Sequence, residues 1–144
     1  MHPGYWFRIS ARDFARFGYL YLRGGRWKDR QIVPKRWVQD STRSYSTAEP
    51  STTKDGYGLM WWVTTRTENG IPAGAFTASG SGGQRLTVLP GIDTVVVNLM
   101  NTDVDGPRLE SAGWDRLLGI ILQARIPVAQ ASRPAFRPRS HKQP

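Results

Sequence analysis

Phe76-Thr77-Ala78-Ser79-Gly80-Ser81-Gly82-Gly83-Gln84-Arg85-Leu86-Thr87-Val88-Leu89-Pro90 runs a glycine-rich bend into an apolar strand pattern. Gly80, Gly82 and Gly83 carry no Cβ, so the backbone can enter positive φ and another molecule can approach it closely. Ser79 and Ser81 add hydroxyls at the same bend. Beyond it, Leu86 and Val88 alternate with Arg85 and Thr87, the two-residue period of a half-buried strand. A ligand lying beside that strand would be held by main-chain hydrogen bonds. A plain Gly/Ser hairpin accounts for the same residues, and spacing alone does not separate the two readings.

Working outward, strands are expected around Ala75 to Ser79, Gln84 to Leu89 and Thr94 to Met100, with Pro90-Gly91 turning the last pair. Their short connections require antiparallel pairing. Tyr57 to Thr67 reads as a further strand with Leu59, Trp61 and Val63 on one face and Met60 and Trp62 on the other, so it needs cover on both sides. Glu68-Asn69-Gly70 is a turn signal. Upstream, Ser10 and Asp13 start a helix in which Phe14, Phe17, Gly18 and Tyr21 recur at helical spacing until Gly24-Gly25. Arg12, Arg16, Tyr19 and Arg23 form its opposite face, read as a solvated side or as a surface for an acidic partner. Trp27 to Val33 reads as a short hairpin or loop, and Pro34 opens a helix to about Asp40. A last helix from about Pro107 to Arg125 presents Trp114, Leu117, Leu118 and Ile121 to the sheet, with Asp115, Arg116 and Gln123 opposite. The fold class is α+β, an antiparallel sheet flanked by helices.

The order of these segments carries a resemblance. Ser10 to Gly18, Gln31-Ile32-Val33-Pro34 with Trp37-Val38, Tyr57-Gly58-Leu59-Met60-Trp61-Trp62, the glycine segment, and Asp93-Thr94-Val95-Val96-Val97 follow one another as in the C-terminal part of a serine hydrolase of the β-lactamase-related superfamily. That group includes class C β-lactamases, penicillin-binding carboxypeptidases, esterases and 6-aminohexanoate-dimer hydrolases. The resemblance covers roughly Gly4 to Ile126. It implies an incomplete β-lactamase-like (penicillin-binding protein transpeptidase-like) fold over residues 1–126. The family's third active-site motif, Lys-Thr-Gly or His-x-Gly, falls on Ala78-Ser79-Gly80, with Ala78 at the cationic or imidazole position. The resemblance further implies that the backbone N–H of Ser81 forms half of an oxyanion hole, making Ser81 the catalytic candidate. Ala78, Ser79, Gly80, Gly82 and Gln84 are then the substrate-binding candidates. The Gly-Gly-Gln that follows resembles the amide-hydrolase and esterase side of the superfamily more than true β-lactamases.

The family's nucleophile lies in a Ser-x-x-Lys motif on an upstream helix, and this chain holds no helical counterpart. Ser51-Thr52-Thr53-Lys54 spells the motif, but between Pro50 and Asp55-Gly56 it reads as loop. The second family motif, Tyr-x-Asn, has no match either. Without nucleophile and base there is no covalent catalysis of this kind.

Composition narrows the remainder. A length of 144 residues fits one domain. With no Cys there are no disulfides or thiolate metal sites, and His2 and His141 at opposite ends argue against zinc and against a Ser-His-Asp triad. Neither a metal nor another cofactor is expected. No apolar run is long enough to span a membrane, and Met1-His2-Pro3-Gly4 has no signal-peptide core, so the sequence assigns no compartment. The net charge is +9, of which Arg133, Arg137, Arg139 and Lys142 contribute four within residues 127–144, leaving about +5 for the body. With Pro134, Pro138 and Pro144, that stretch reads as a disordered, solvated tail.

Three functions fit these residues. The favoured one is the C-terminal part of a serine hydrolase acting on a small-molecule amide, ester or lactam, inactive alone. The second is a non-catalytic remnant or binding module. The third, a basic nucleic-acid interaction domain, lacks a basic strand interleaved with aromatics, so no specific nucleic-acid partner is expected. An incomplete sheet also leaves an exposed edge through which copies would self-associate.

Overall fold

Ser10 lies in extended backbone and its hydroxyl accepts from the Asp13 amide at 3.1 Å, which starts helix α1 (Ala11–Leu22) as the sequence expects. This is seen in a computed structural model that describes residues 8–47, 55–80, 82–101, 104, 106 and 109–131. The helix ends where the Gly25 amide returns to the Leu20 carbonyl at 2.8 Å. The chain then forms a small hairpin, β1 (Arg26–Trp27) with β2 (Arg30–Gln31), and helix α2 (Lys35–Ser41). Pro34 sits just before α2 in extended backbone, so it precedes the helix and does not occupy its first turn.

Among the described residues six further strands make one antiparallel sheet in sequence order: β3 (Ser46–Thr47), β4 (Gly56–Tyr57), β5 (Trp62–Val63), β6 (Phe76–Ser79), β7 (Arg85–Leu89) and β8 (Thr94–Asn98). Each pairs only with its chain neighbours, as short connections dictate. The turn at Asn69 and Gly70, both at positive φ, closes the Glu68–Ile71 bridge. Helix α3 (Ser111–Ala131) follows. It begins later than the sequence reading placed it and its backbone runs past Pro127, so the first residues of the expected tail are helical. The remainder of the tail lies outside the described residues.

The sheet is covered on both faces. One core cluster joins Tyr21 of α1 and Val38 of α2 to Trp61, Val63, Phe76, Leu86 and Val88, with Phe14, Ala78, Val95 and Val97 packed against it. α1 comes close to β7 and β8 because Gly18 has no side chain: a Cβ there would lie 2.6 Å from Leu86 Cδ1 and 2.7 Å from Val95 Cγ1. The other cluster joins Trp114, Leu118 and Leu122 of α3 to Ile71, Ala75 and Leu89. Leu117, expected on the buried face of α3, is instead 38% exposed. With helices on both sides, all five residues of β7 are buried, so the half-buried pattern read from its alternation is corrected: Arg85 and Thr87 face the α3 layer and not solvent.

The stretch expected as one strand from Tyr57 to Thr67 is broken into β4 and β5 by a tight turn. The Gly58 amide donates to the Trp61 carbonyl at 2.7 Å and the Leu59 amide to the Ser41 carbonyl at 2.8 Å. Met60, at the tip, is 80% exposed and held at φ +68. A left-handed L-residue costs about 1–2 kcal/mol, whereas glycine loses about 0.4–1 kcal/mol more unfolded-chain freedom. Met60→Gly is therefore expected to stabilise the fold by about 0.5–1 kcal/mol, read as a raised urea midpoint. A lowered midpoint would show that the Met60 side chain contributes more than its exposure indicates.

Candidate active site

β6 and β7 pair in the register Phe76 with Val88, Thr77 with Thr87, Ala78 with Leu86 and Ser79 with Arg85, which sets the glycine segment at one end of the sheet. The turn is closed by its own backbone: the Gly80 amide donates to the Gln84 carbonyl and the Gly83 amide to the Gly80 carbonyl, each at 3.0 Å. Gly83 is at φ +87, and a Cβ on it would lie 3.1 Å from Met100 Cγ, so both conformation and space call for glycine.

The structure brings Ala78, Ser79, Gly80, Gly82 and Gln84 together along this turn. Ser79 and Gly80 are exposed; Ala78, Gly82 and Gln84 are half-buried. Ala78 faces the cluster beneath α1 and not the α3 layer. Gln84 folds its side-chain amide over Gly80, where a Cβ would come 2.8 Å from Oε1. Ser81 lies outside the described residues, as does Ser51-Thr52-Thr53-Lys54. Trp61 is in the core, within 5.0 Å of both the Tyr21 and Phe76 rings, and Trp62 packs edge-on to Tyr57.

Two residues that the sequence reading did not single out hold the turn in place. Arg85 Nη1 donates to the carbonyls of Gly80 and Gln84, each at 3.1 Å, although the side chain is only 6% exposed. Burial lowers its pKa from the usual arginine value, and Asp115 of α3 partly offsets that. Asn98 Nδ2, from β8, donates to the Gly83 carbonyl at 3.0 Å. The available signal was positional, since Arg85 opens a strand that helices cover on both faces. Behind the turn the polar line continues from Thr77 to Thr87 at 2.8 Å and from Trp114 Nε1 to Thr87 at 3.1 Å.

Among the described residues no group of His, Cys, Asp or Glu is placed to hold a metal ion. No helix among them is long and apolar enough to cross a membrane. On the basic face of α1, Arg16 pairs with Asp13, and Arg23 pairs with Asp93 at 2.9 Å while lying over the Tyr19 ring. Two of its cations thus already have carboxylate partners.

The Beta-lactamase family profile matches residues 3–119. The chain belongs to the Beta-lactamase family. Its fold is similar to that of a protein assigned as a 6-aminohexanoate-dimer hydrolase from Bacillus anthracis. That similarity has a TM-score of 0.56 and 25% identity over 83% of this chain and 29% of that one. An uncharacterised protein of Alkalihalophilus pseudofirmus strain OF4 is 31% identical over 103 residues, which are 65% of this chain and 30% of the relative. The chain thus spans less than a third of the length of either protein. The structure agrees with the fold expected from the sequence, an antiparallel sheet with flanking helices forming part of a β-lactamase-like fold.

Proposed function

We propose that this chain supplies the substrate-binding strand and half of the oxyanion hole of a β-lactamase-related serine hydrolase. The substrate is a small-molecule amide, ester or lactam. The nucleophile and its lysine base are contributed by polypeptide outside these 144 residues. In such a reaction the serine oxygen bonds to the substrate carbonyl carbon as its proton passes to the base. The bond to the leaving amine or alkoxide then breaks as that proton is delivered to it, and water repeats the sequence to free the acid and the serine. The developing oxyanion needs N–H donors that are already oriented.

The observation that carries this reading is the turn at Gly80 to Gln84. In a member of this family, an exposed Ser79-Gly80 backbone at the end of β6 is braced by Arg85 at the Gly80 carbonyl, and the turn that follows is held by Asn98 at the Gly83 carbonyl. In the notation of the resemblance, Ser81 is the residue whose backbone N–H faces the reacting carbonyl. Ser79, Gly80, Gly82 and Gln84 line the substrate side, and Ala78, at the family's cationic or imidazole position, borders it from the cluster beneath α1. The similarity to a protein assigned as a 6-aminohexanoate-dimer hydrolase favours a linear amide over a lactam. Residues 1–126 are the hydrolase segment in this proposal, and the remainder, whose first residues continue α3, is an appended basic stretch.

The test compares the chain alone with the chain joined to, or mixed with, the nucleophile-bearing upstream portion of the Bacillus anthracis relative. Alone, it is expected to hydrolyse p-nitrophenyl esters no faster than a denatured control. Complemented, it should hydrolyse them catalytically. Sedimentation of the same samples should show self-association through the outer edge of β8, which no described strand covers, and its loss on complementation. Burst acylation of the chain alone, or no gain in hydrolysis on complementation, would count against the proposal and favour a non-catalytic binding module.

A further inference from the structure

Arginine is rarely buried without a partner arrangement that repays its desolvation, and a strand core is more simply filled by an apolar side chain. Arg85 is such a buried arginine, placed where β7 leaves the glycine turn. Its Nη1 reaches two carbonyl groups at 3.1 Å, those of Gly80 and Gln84. These same carbonyls accept the turn's two backbone bonds, from Gly83 and Gly80 respectively. One cation therefore draws together both acceptors that define the turn, through charge-assisted bonds in a layer of low polarity. Its Nε has no hydrogen-bond partner, so the side chain is committed to this grip at the expense of part of its own bonding capacity.

We infer that Arg85 is the positioning residue of the candidate site, its buried guanidinium fixing the Gly80 and Gln84 carbonyls and with them the backbone that faces substrate. The inference rests on the hydrolase reading above for its functional half. In a trans peptide the N–H points opposite to the carbonyl. By holding the Gln84 carbonyl, Arg85 fixes the acceptor of the Gly80 amide and with it the direction of the Ser79–Gly80 peptide unit. Arg85 is buried while the Ser79-Gly80 backbone is exposed, so in this reading Arg85 acts on the site through the turn and not by touching substrate.

Amide exchange on the 15N-labelled 144-residue chain reads the first half directly. Arg85→Met should speed exchange at Gly80 and Gly83 about tenfold or more while the Leu86 and Val88 amides keep their protection. Arg85→Lys, which can reach one carbonyl but lacks the planar fork, should fall between. Should Arg85→Met fail to fold, Arg85→Lys carries the comparison, and faster exchange at the turn is expected there too. In the complemented hydrolase Arg85→Met should lower kcat about 10- to 100-fold at unchanged KM, with partial recovery in Arg85→Lys. Turn amides as well protected as in the wild type would overturn the inference. So would accelerated exchange without any loss of kcat. If the complemented wild type shows no hydrolysis, the hydrolase reading fails, and the exchange measurement still decides whether Arg85 holds the turn.

Discussion

Replacing Trp114 by alanine is expected to destabilise the chain by about 3–5 kcal/mol, a large share of the roughly 5–15 kcal/mol that holds a domain of this size together. Trp114 is fully buried and, among the described residues, is the largest side chain in that state. It joins α3 to the sheet in two ways. Its ring fills the space between Ile71, Ala75, Leu89 and Leu118, and its Nε1 donates to Thr87. Truncation removes both, and the two-sided cover of β7 leaves the surrounding residues little freedom to close the cavity. Trp114→Phe separates the contributions, since it keeps most of the ring and loses the hydrogen bond. Thr87 retains Thr77 as a partner, so that variant should lose only about 1–2 kcal/mol. Urea denaturation of the two variants checks the ordering. Equal losses would mean that the hydrogen bond, and not the packing, fastens α3.

The elements most legible in the sequence are those fixed by local chemistry. Ser10 with Asp13 marks the start of α1 because a hydroxyl there meets a free amide, and Asn69-Gly70 marks a turn because both residues tolerate positive φ. The alternation of Leu86 and Val88 correctly locates β7. What the alternation does not carry is the other face. Arg85 and Thr87 look like solvent positions until α3 is placed over them, and that placement depends on contacts between residues about thirty positions apart. The break between β4 and β5 is hidden for a related reason. Met60 shows no turn preference, and the bend is imposed by the Leu59 amide reaching Ser41, a contact with α2. The glycine segment of the candidate site is evident from composition. The side chains that brace it, Arg85 and Asn98, become apparent only once β6, β7 and β8 are in register.

In the complemented hydrolase, Ser81→Pro is expected to cost roughly 3 kcal/mol or more in kcat/KM, on the order of a 100-fold loss. The contribution assigned to Ser81 is a backbone N–H, so the side chain matters little and Ser81→Ala should be mild. Proline removes the donor outright. The preceding residue is Gly80, which has no Cβ to clash with the proline ring. Ser79→Ala should fall between the two if the exposed Ser79 hydroxyl contacts substrate. Circular dichroism and the urea midpoint of each variant separate loss of the donor from loss of the fold. The most direct measurement is kcat/KM for Ser81→Pro beside Ser81→Ala and the wild type. A fall of about two orders of magnitude in the proline variant alone is the predicted result, and equal activity of all three would show that the glycine turn does not line the active site.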